Sequence, residues 1–292
     1  MSELVCIDAT KRYKEKEALR QVNLRLESGR IYGLIGRNGA GKTTLLSVLT
    51  AQNPLTAGSV TLDGAPVWEN RQALSRLCFS RELNVSAGSG IAGYKIRDYF
   101  RAAALYYPNW DQEMADRLIQ AFRIDLKKTF MKVNKGMLSA VTITVALASK
   151  AEFTFLDEPV AGLDVIAREF FYHTLLGEFA DSGRTFVIST HIIEEAAAVF
   201  EEVIFLRDGQ VLLKENTETL LARSFRVSGL ASAVDAATAG LNCHYPEVIG
   251  RSKSVTVLLD REETLPEADN ITIQPIPLQQ LFVALCGEEG MG

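Results

Sequence analysis

The stretch Gly36-Arg37-Asn38-Gly39-Ala40-Gly41-Lys42-Thr43-Thr44 limits what this chain can fold into more than any other. A short apolar run, Ile31 to Ile35, precedes it and reads as a buried strand. Helical spacing of Leu45, Leu46, Val48 and Leu49 follows, with the helix expected to start near Thr43. Strand, glycine-rich turn and helix start form the context in which G-x-x-x-x-G-K-[ST] cradles phosphate. The glycines let backbone N–H groups turn inward without Cβ clashes, and the positive end of the helix faces the anion. Gly36, Asn38, Gly39, Ala40, Gly41, Lys42, Thr43 and Thr44 are the expected binding set for a nucleotide. Lys42 is expected to reach its β- and γ-phosphates, and the Thr43 hydroxyl to sit on Mg2+.

The run Phe155-Leu156-Asp157-Glu158-Pro159 is the second strong signal. An apolar strand ending in two adjacent acids puts carboxylates at the carboxyl edge of a parallel sheet, where open α/β folds bind ligands. Asp157 is expected to hold Mg2+, directly or through water, and Glu158 to orient and polarise an attacking water. Two solvated acids at a strand end are the bland alternative, and the phosphate loop upstream argues against it.

Around these motifs the chain alternates strands with helices, which implies a largely parallel sheet. Buried strands are expected at Phe153 to Leu156, Thr185 to Ile188 and Val203 to Leu206, with Asp208-Gly209 turning a hairpin into Gln210 to Leu213. Near the start, Leu4, Cys6 and Asp8 are placed on one side of a strand, and Val22, Leu24 and Leu26 alternate with polar residues. From about Asn84 the character changes. Ser86-Ala87-Gly88-Ser89-Gly90 reads as a flexible stretch, followed by helical patterns. One of these has Ala115, Leu118, Ile119 and Phe122 on one face, with Asn109 as its cap and Gln112 three residues on. Beyond Leu221 no nucleotide motif occurs. Val255 to Leu258 and Ile271 to Ile273 read as short strands, and Leu278, Leu281, Phe282 and Leu285 as a closing helix.

Composition removes several classes. A net charge of -5 gives no reason to expect nucleic acid as a partner. No apolar run approaches the ~18 residues of a membrane span, and the first residues lack the basic start and apolar core of a signal peptide. The four scattered cysteines contain no C-x-x-C pair and are expected to be reduced, small, buried residues.

Four motifs occur in order: the phosphate loop, Asp157-Glu158-Pro159, Gly162-Leu163-Asp164 and Ser189-Thr190-His191. Over roughly residues 3 to 215 this set resembles the ATPase subunit of ABC transporters. The resemblance implies an α/β fold, a P-loop NTPase core of the ABC type over residues 1–220. It also implies a helical insertion at about 84–150, with a small α/β appendage over 221–292. It implies that Tyr13 stacks on adenine, that His191 contacts the γ-phosphate and that Asp164 belongs to a loop crossing a dimer interface. ATP and Mg2+ are the implied ligands. The implied partners are a second ATPase subunit and a separate multi-span membrane subunit at the cytoplasmic face of the membrane.

The chain departs from the family pattern twice. In place of the signature Leu-Ser-Gly-Gly-Gln stands Val133-Asn134-Lys135-Gly136-Met137, so that Asn134 and Gly136 are the residues implied to reach the partner subunit's ATP. Local propensity makes Val141 to Val145 strand-like, whereas the resemblance makes this stretch a helix. In place of the family glutamine after a short strand near Leu77-Cys78-Phe79 stands Glu82, either a Mg2+ ligand or a solvated loop acid. Lys135-Gly136-Met137, Tyr107-Pro108-Asn109-Trp110-Asp111 and the run from Glu158 to Asp164 look like the exporter ATPases of Gram-positive bacteria of the bacitracin, acetoin-operon and phenol-soluble-modulin type. That likeness implies amphipathic peptide cargo. A soluble ABC-type ATPase without a transport role and a metabolic P-loop kinase are the rival expectations. Tandem nucleotide domains would speak for the first and a second substrate pocket for the other.

Overall fold

A computed structural model describes residues 2–83, 85–86, 89–260, 263–265 and 270–287. Asn84, where the helical insertion is expected to begin, and Ala87-Gly88 of the glycine-serine stretch lie outside the described residues. The chain opens with a long antiparallel pair, β1 (Glu3–Tyr13) and β2 (Lys16–Glu27), and then enters the core with β3 (Ile31–Ile35) and α1 (Lys42–Leu49). Next come β4 (Ala57–Leu62), β5 (Ala65–Pro66), the short α2 (Arg71–Leu74) and β6 (Leu77–Ser80). Three helices follow, α3 (Ile96–Tyr106), α4 (Gln112–Ala121) and α5 (Lys135–Ala148). The chain returns through β7 (Phe153–Asp157), α6 (Val165–Ser182), β8 (Thr185–Thr190), α7 (Ile193–Ala196), β9 (Glu202–Arg207), β10 (Gln210–Asn216) and α8 (Thr217–Ala222). The last part holds β11 (Ser224–Leu230), α9 (Ala231–Ala237), β12 (Cys243–Ile249), β13 (Ser252–Leu258), β14 (Ile271–Pro275) and α10 (Leu278–Cys286).

The central sheet has the order β10-β9-β3-β8-β7-β6, and every neighbour pair from β9 to β6 is parallel. Its strands are buried on both faces, which is why they read as unbroken apolar runs. On one face α1 is held between this sheet and the antiparallel sheet β2-β1-β4-β5. Leu24, Leu45, Leu46, Phe155 and Leu206 share one apolar cluster there. The other face is covered by α4, α5 and α6.

Within β1 the expected alternation breaks after Cys6. The pairing register with β2 shifts between Cys6 and Ala9, Asp8 takes φ 48°, and Ala9 rather than Asp8 is buried. A bulge of this kind sends the next side chain to the opposite face.

The three helices after β6 carry their own cluster, built on Ile96, Phe100, Phe130, Val141 and Val145. The N-cap of α4 is Asp111, not Asn109, and its Oδ1 accepts the Met114 N–H at 2.9 Å. Helix α5 forms despite its β-branched run because Ser139 to Ala148 is buried all round, between the insertion and the sheet. Its threonines satisfy their hydroxyls within the helix, Thr142 Oγ1 donating to Ser139 O at 3.0 Å and Thr144 Oγ1 to Ala140 O at 2.8 Å. Burial of a continuous apolar surface outweighs a weak local preference.

Charged groups sit where insertion and core meet. Glu178 of α6 and Arg184 before β8 are 2% and 5% exposed, with Nε 3.2 Å from Oε1 as an ion pair too poorly aligned to be a hydrogen bond. Lys150 donates to Glu178 Oε2 at 2.7 Å and pairs with Asp111 Oδ2 at 3.2 Å. Arg184 also donates to Leu147 O at 3.0 Å. One chain of charges thus joins the cap of α4, the end of α5, α6 and β8.

The C-terminal strands form a third antiparallel sheet, β12-β13-β11-β14, whose cluster of Val227, Val234, Val255 and Val257 lies under α9. Strands β11 and β12 and helix α9 have no counterpart in the sequence reading. Helix α10 leaves this sheet: Leu278, Leu281, Leu285 and Cys286 join the cluster of the central sheet. Cys6, Cys78 and Cys286 are buried as expected, but Cys243 is exposed on edge strand β12, and all four thiols are free. Burial pushes the Cys6 thiol up to about 12.

Candidate functional site

The site assembles at the carboxyl ends of three adjacent parallel strands, β3, β8 and β7. Ile35 pairs with Thr190 and Asp157 with Ser189, so the phosphate loop, His191 and the two acids emerge side by side. The loop needs its glycines. Gly41 has φ 107°, and a Cβ there would lie 2.7 Å from Ala18 O; a Cβ on Gly36 would lie 2.6 Å from Leu206 O. No side chain caps the N-terminus of α1, which leaves its first-turn N–H groups to an anion.

A cleft of about 330 Å³ opens over this loop, lined by Tyr13, Lys16, Arg37, Asn38, Gly39, Gly41, Lys42, Thr43, Thr44, Asp157 and Glu158. The structure therefore gathers most of the residues that the two strongest motifs name, together with Tyr13 on the hairpin of β1 and β2. Tyr13 is exposed, and the Lys11 ammonium lies 5.0 Å from its ring centroid. Lys42 is 7% exposed, and its Nζ donates to Gly36 O at 2.7 Å. Burial pulls its ammonium below its ordinary pKa, while Glu158 and then Asp157 pull it back up.

Glu158 sits just beyond β7 at φ 50°, a left-handed conformation that costs a non-glycine residue of order 1–3 kcal/mol. Its N–H donates to Ser189 O at 3.0 Å, which holds the strained turn against β8. The carboxylate lies between two partners, with Oε1 4.0 Å from Lys42 Nζ and Oε2 2.7 Å from His191 Nδ1. Asp157 is buried and accepts a short hydrogen bond from the Ser189 hydroxyl. The sequence names Ser189 only as part of the Ser189-Thr190-His191 motif and gives it no role; its hydrogen bond to Asp157 across the strand pair supplies one. The donors fit the implied metal. Thr43 and Asp157 line the same cleft, and hydroxyl and carboxylate oxygens suit Mg2+.

Asn134, Gly136 and Asp164 lie elsewhere in the chain, around a groove of about 510 Å³ between the start of α5 and the loop before α6. Asn134 and Asp164 are both helix caps, their side chains accepting from Met137 N–H at 2.9 Å and Ala167 N–H at 2.8 Å. A Cβ on Gly136 would run into Gly162 O, so the two motifs share backbone contact. Gly136→Ala is expected to displace the loop that carries Asp164. ATP turnover should fall about tenfold while the affinity of the single chain for ATP changes less than twofold, because a small misplacement costs rate before binding. Equilibrium ATP binding alongside steady-state turnover checks this.

Glu82 does not line the cleft of Lys42 and Thr43. Its Oε1 pairs instead with Lys135 Nζ at 3.1 Å, both side chains being about half exposed. The two departures from the family pattern thus meet as opposite charges.

A phosphate loop after strand β3, two acids at the end of β7 and a histidine just past β8, the strand between those two, define a P-loop nucleoside triphosphatase. The family model "ABC transporter" matches residues 19–161. The manganese transport system ATP-binding protein MntB of Listeria innocua is 31% identical over 198 residues, 66% of this chain and 82% of that protein. The bacitracin transport ATP-binding protein BcrA of Enterococcus faecalis is 28% identical over 215 residues, 74% of this chain and 70% of that one. Among solved structures, the dimeric ATP-binding cassette MJ0796, in a post-hydrolysis state with ADP and Pi, superposes with a TM-score of 0.64. It is 21% identical and covers 73% of this chain and 98% of that one. The chain belongs to the ABC transporter family as an ATP-binding subunit, and it is an ATPase. Among the described residues no helix is long and apolar enough to cross a membrane.

Proposed function

We propose that two copies, or this chain and a related one, close head to tail around two ATP molecules and drive a separate membrane subunit that exports an amphipathic peptide. The observation that carries this reading is Lys42 and Glu158 at one cleft, with His191 hydrogen-bonded to Glu158 beside it, and Asn134, Gly136 and Asp164 on a separate groove. A single chain thus holds two half-sites, which head-to-tail pairing completes. Bound Mg2+, held by Thr43 and Asp157, would offset charge on the phosphates. Lys42 binds the β- and γ-phosphates, leaving Gly36 O for the anion. Glu158, held close to His191, accepts a proton from the attacking water, and His191 orients the γ-phosphate. Tyr13 offers the adenine an exposed ring at the mouth of the cleft. Across the pair, the Asn134 amide and the Gly136 N–H donate to the γ-phosphate of the other copy. Lys135 adds a positive charge whose resting partner is Glu82, and this reading makes Glu82 a counter-ion rather than a metal ligand. Peptide cargo is supported by the likeness to BcrA, whereas MntB is named for manganese.

Co-purification of the tagged chain from its native membranes in mild detergent tests the reading. A multi-span protein whose loss abolishes peptide resistance is the expected result. A membrane partner that moves a metal ion would change the cargo, and only soluble partners would remove the transport role.

Asn134→Ser checks the altered signature. Serine caps as well as asparagine, so α5 should keep its stability within a few tenths of a kcal/mol. Turnover at saturating ATP is expected to equal or exceed that of the natural chain. Complete loss of turnover would show that Asn134 is matched to a different partner group.

A further inference from the structure

Helix α10 ends the C-terminal module, yet it packs beneath the part of the ATPase that carries His191. Its Leu281 and Leu285 share a buried cluster with Ile188, Ile193 and Ala196, the strand before His191 and the helix after it. The Phe282 ring stands edge-on to Phe205 of β9, with centroids 5.5 Å apart. The same Phe282 lines a cleft of about 290 Å³ together with Gly36, Arg37, Asn38, Thr190, His191 and Ile193. At the helix end, Leu285 O accepts from Arg207 Nη1 at 2.9 Å, which fixes the axis of α10 to the end of β9.

Beyond α10, the His191 N–H donates to Glu158 Oε2 at 3.4 Å, and α7 is tied to α6 by the Arg168–Glu195 pair at 2.9 Å. The His191 side chain is 58% exposed, and its contact with Glu158 is the one hydrogen bond its ring makes among the described residues. The loop is anchored below, where Ile192 N–H donates to Thr190 Oγ1 at 3.0 Å and Ile193 is buried. Ile193 belongs to α7, the helix against which α10 packs. The phosphate loop forms the opposite wall of the same cleft.

We infer that Phe282 is a positioning residue for ATP hydrolysis: its ring sets the distance between the His191 loop and the phosphate loop, and through α10 the C-terminal module reaches the catalytic site. This rests on the ATPase reading above. Phe282 touches no reacting atom. It acts by limiting how far α7, and with it His191, can move away from Glu158 and Gly36. A ring removed from an apolar wall leaves a cavity into which neighbours relax, and loss of near-attack geometry costs rate rather than affinity.

The test compares Phe282→Ala, Phe282→Leu and the natural full-length chain, measuring turnover at saturating ATP, KM and the amount of ATP bound per chain. Phe282→Ala is expected to bind ATP at full stoichiometry with KM changed less than twofold, while turnover per bound ATP falls about tenfold. Phe282→Leu, which refills much of the volume, should recover most of that loss. Turnover per bound ATP within twofold of the natural chain in Phe282→Ala overturns the inference, because a merely structural role lowers the folded fraction and not the rate per site. Where Phe282→Ala does not fold, the same ratio is read on Phe282→Leu against Phe282→Val, and equal rates per bound ATP overturn it. Glu158→Gln in the same assay separates the two claims. Loss of turnover there upholds the role given to Glu158 whatever Phe282 does, and full turnover there takes Glu158, and with it the site that Phe282 is inferred to position, out of the chemistry.

Discussion

Glu158→Gln is expected to lower ATP turnover by about a thousandfold and to leave ATP binding intact, the scale of a lost general base. The amide keeps the shape of the carboxylate but cannot accept a proton from water at neutral pH. Its neighbours explain why binding survives. Lys42 Nζ is anchored on Gly36 O at 2.7 Å and lies 4.0 Å from Glu158, so the phosphate cradle does not depend on that charge. Removing a negative charge beside a γ-phosphate lowers repulsion, so ATP affinity should hold or rise, and the closed pair should persist. Gel filtration with ATP, alongside a phosphate-release assay, reads both effects. Hydrolysis near the natural rate would take Glu158 out of its role.

Glu178→Ala carries the largest expected effect on stability. It leaves Arg184, which is 5% exposed, without its carboxylate and frees Lys150 from its closer partner at 2.7 Å. Removing one member of a buried ion pair costs about 3–5 kcal/mol, which corresponds to a fall in melting temperature of roughly 10 °C. Two carbonyls of α5 still accept from Arg184, but neither neutralises it. Burial already pulls the Arg184 pKa below its ordinary value, with Glu178 pulling it back up. A double change, Glu178→Leu with Arg184→Met, should recover much of the loss, because an apolar pair of similar volume carries no desolvation penalty. A thermal melt of the single and double variants checks both statements.

The site was far more legible than the scaffold beneath it. The phosphate loop and the Asp157-Glu158 pair lie on contiguous residues whose chemistry names their role, and His191 was legible only through the family resemblance carried by the ordered motifs. The pairing of Glu82 with Lys135 was not legible, since the two are joined only by the fold. The ion chain through Asp111, Lys150, Glu178 and Arg184 was hidden for the same reason. Local rules misled where tertiary burial overruled them. The β-branched run of α5 is helical because both its sides are covered, and Asp8 turns outward because a bulge follows Cys6. Strands β11 and β12 escaped notice because their faces are mixed: Arg226 and Ser228 stand beside Phe225 and Val227, and Cys243 and Val248 are exposed. In α10 the apolar spacing announced a helix but not the surface that would receive it.

The C-terminal sheet leaves the core at Ser224 and rejoins it at Ile276, and these two residues are neighbours, Ile276 N–H donating to Ser224 O at 3.4 Å. Topologically the sheet is a side loop, not a tail. A chain cut at residue 221 would lose α10 along with the sheet and lay bare the apolar floor under His191. Replacing 225–275 by a tight turn would leave that floor covered. The arrangement works as a socket: the sheet is plugged in between two adjacent points, and the helix that follows it returns the chain to the cluster beneath His191.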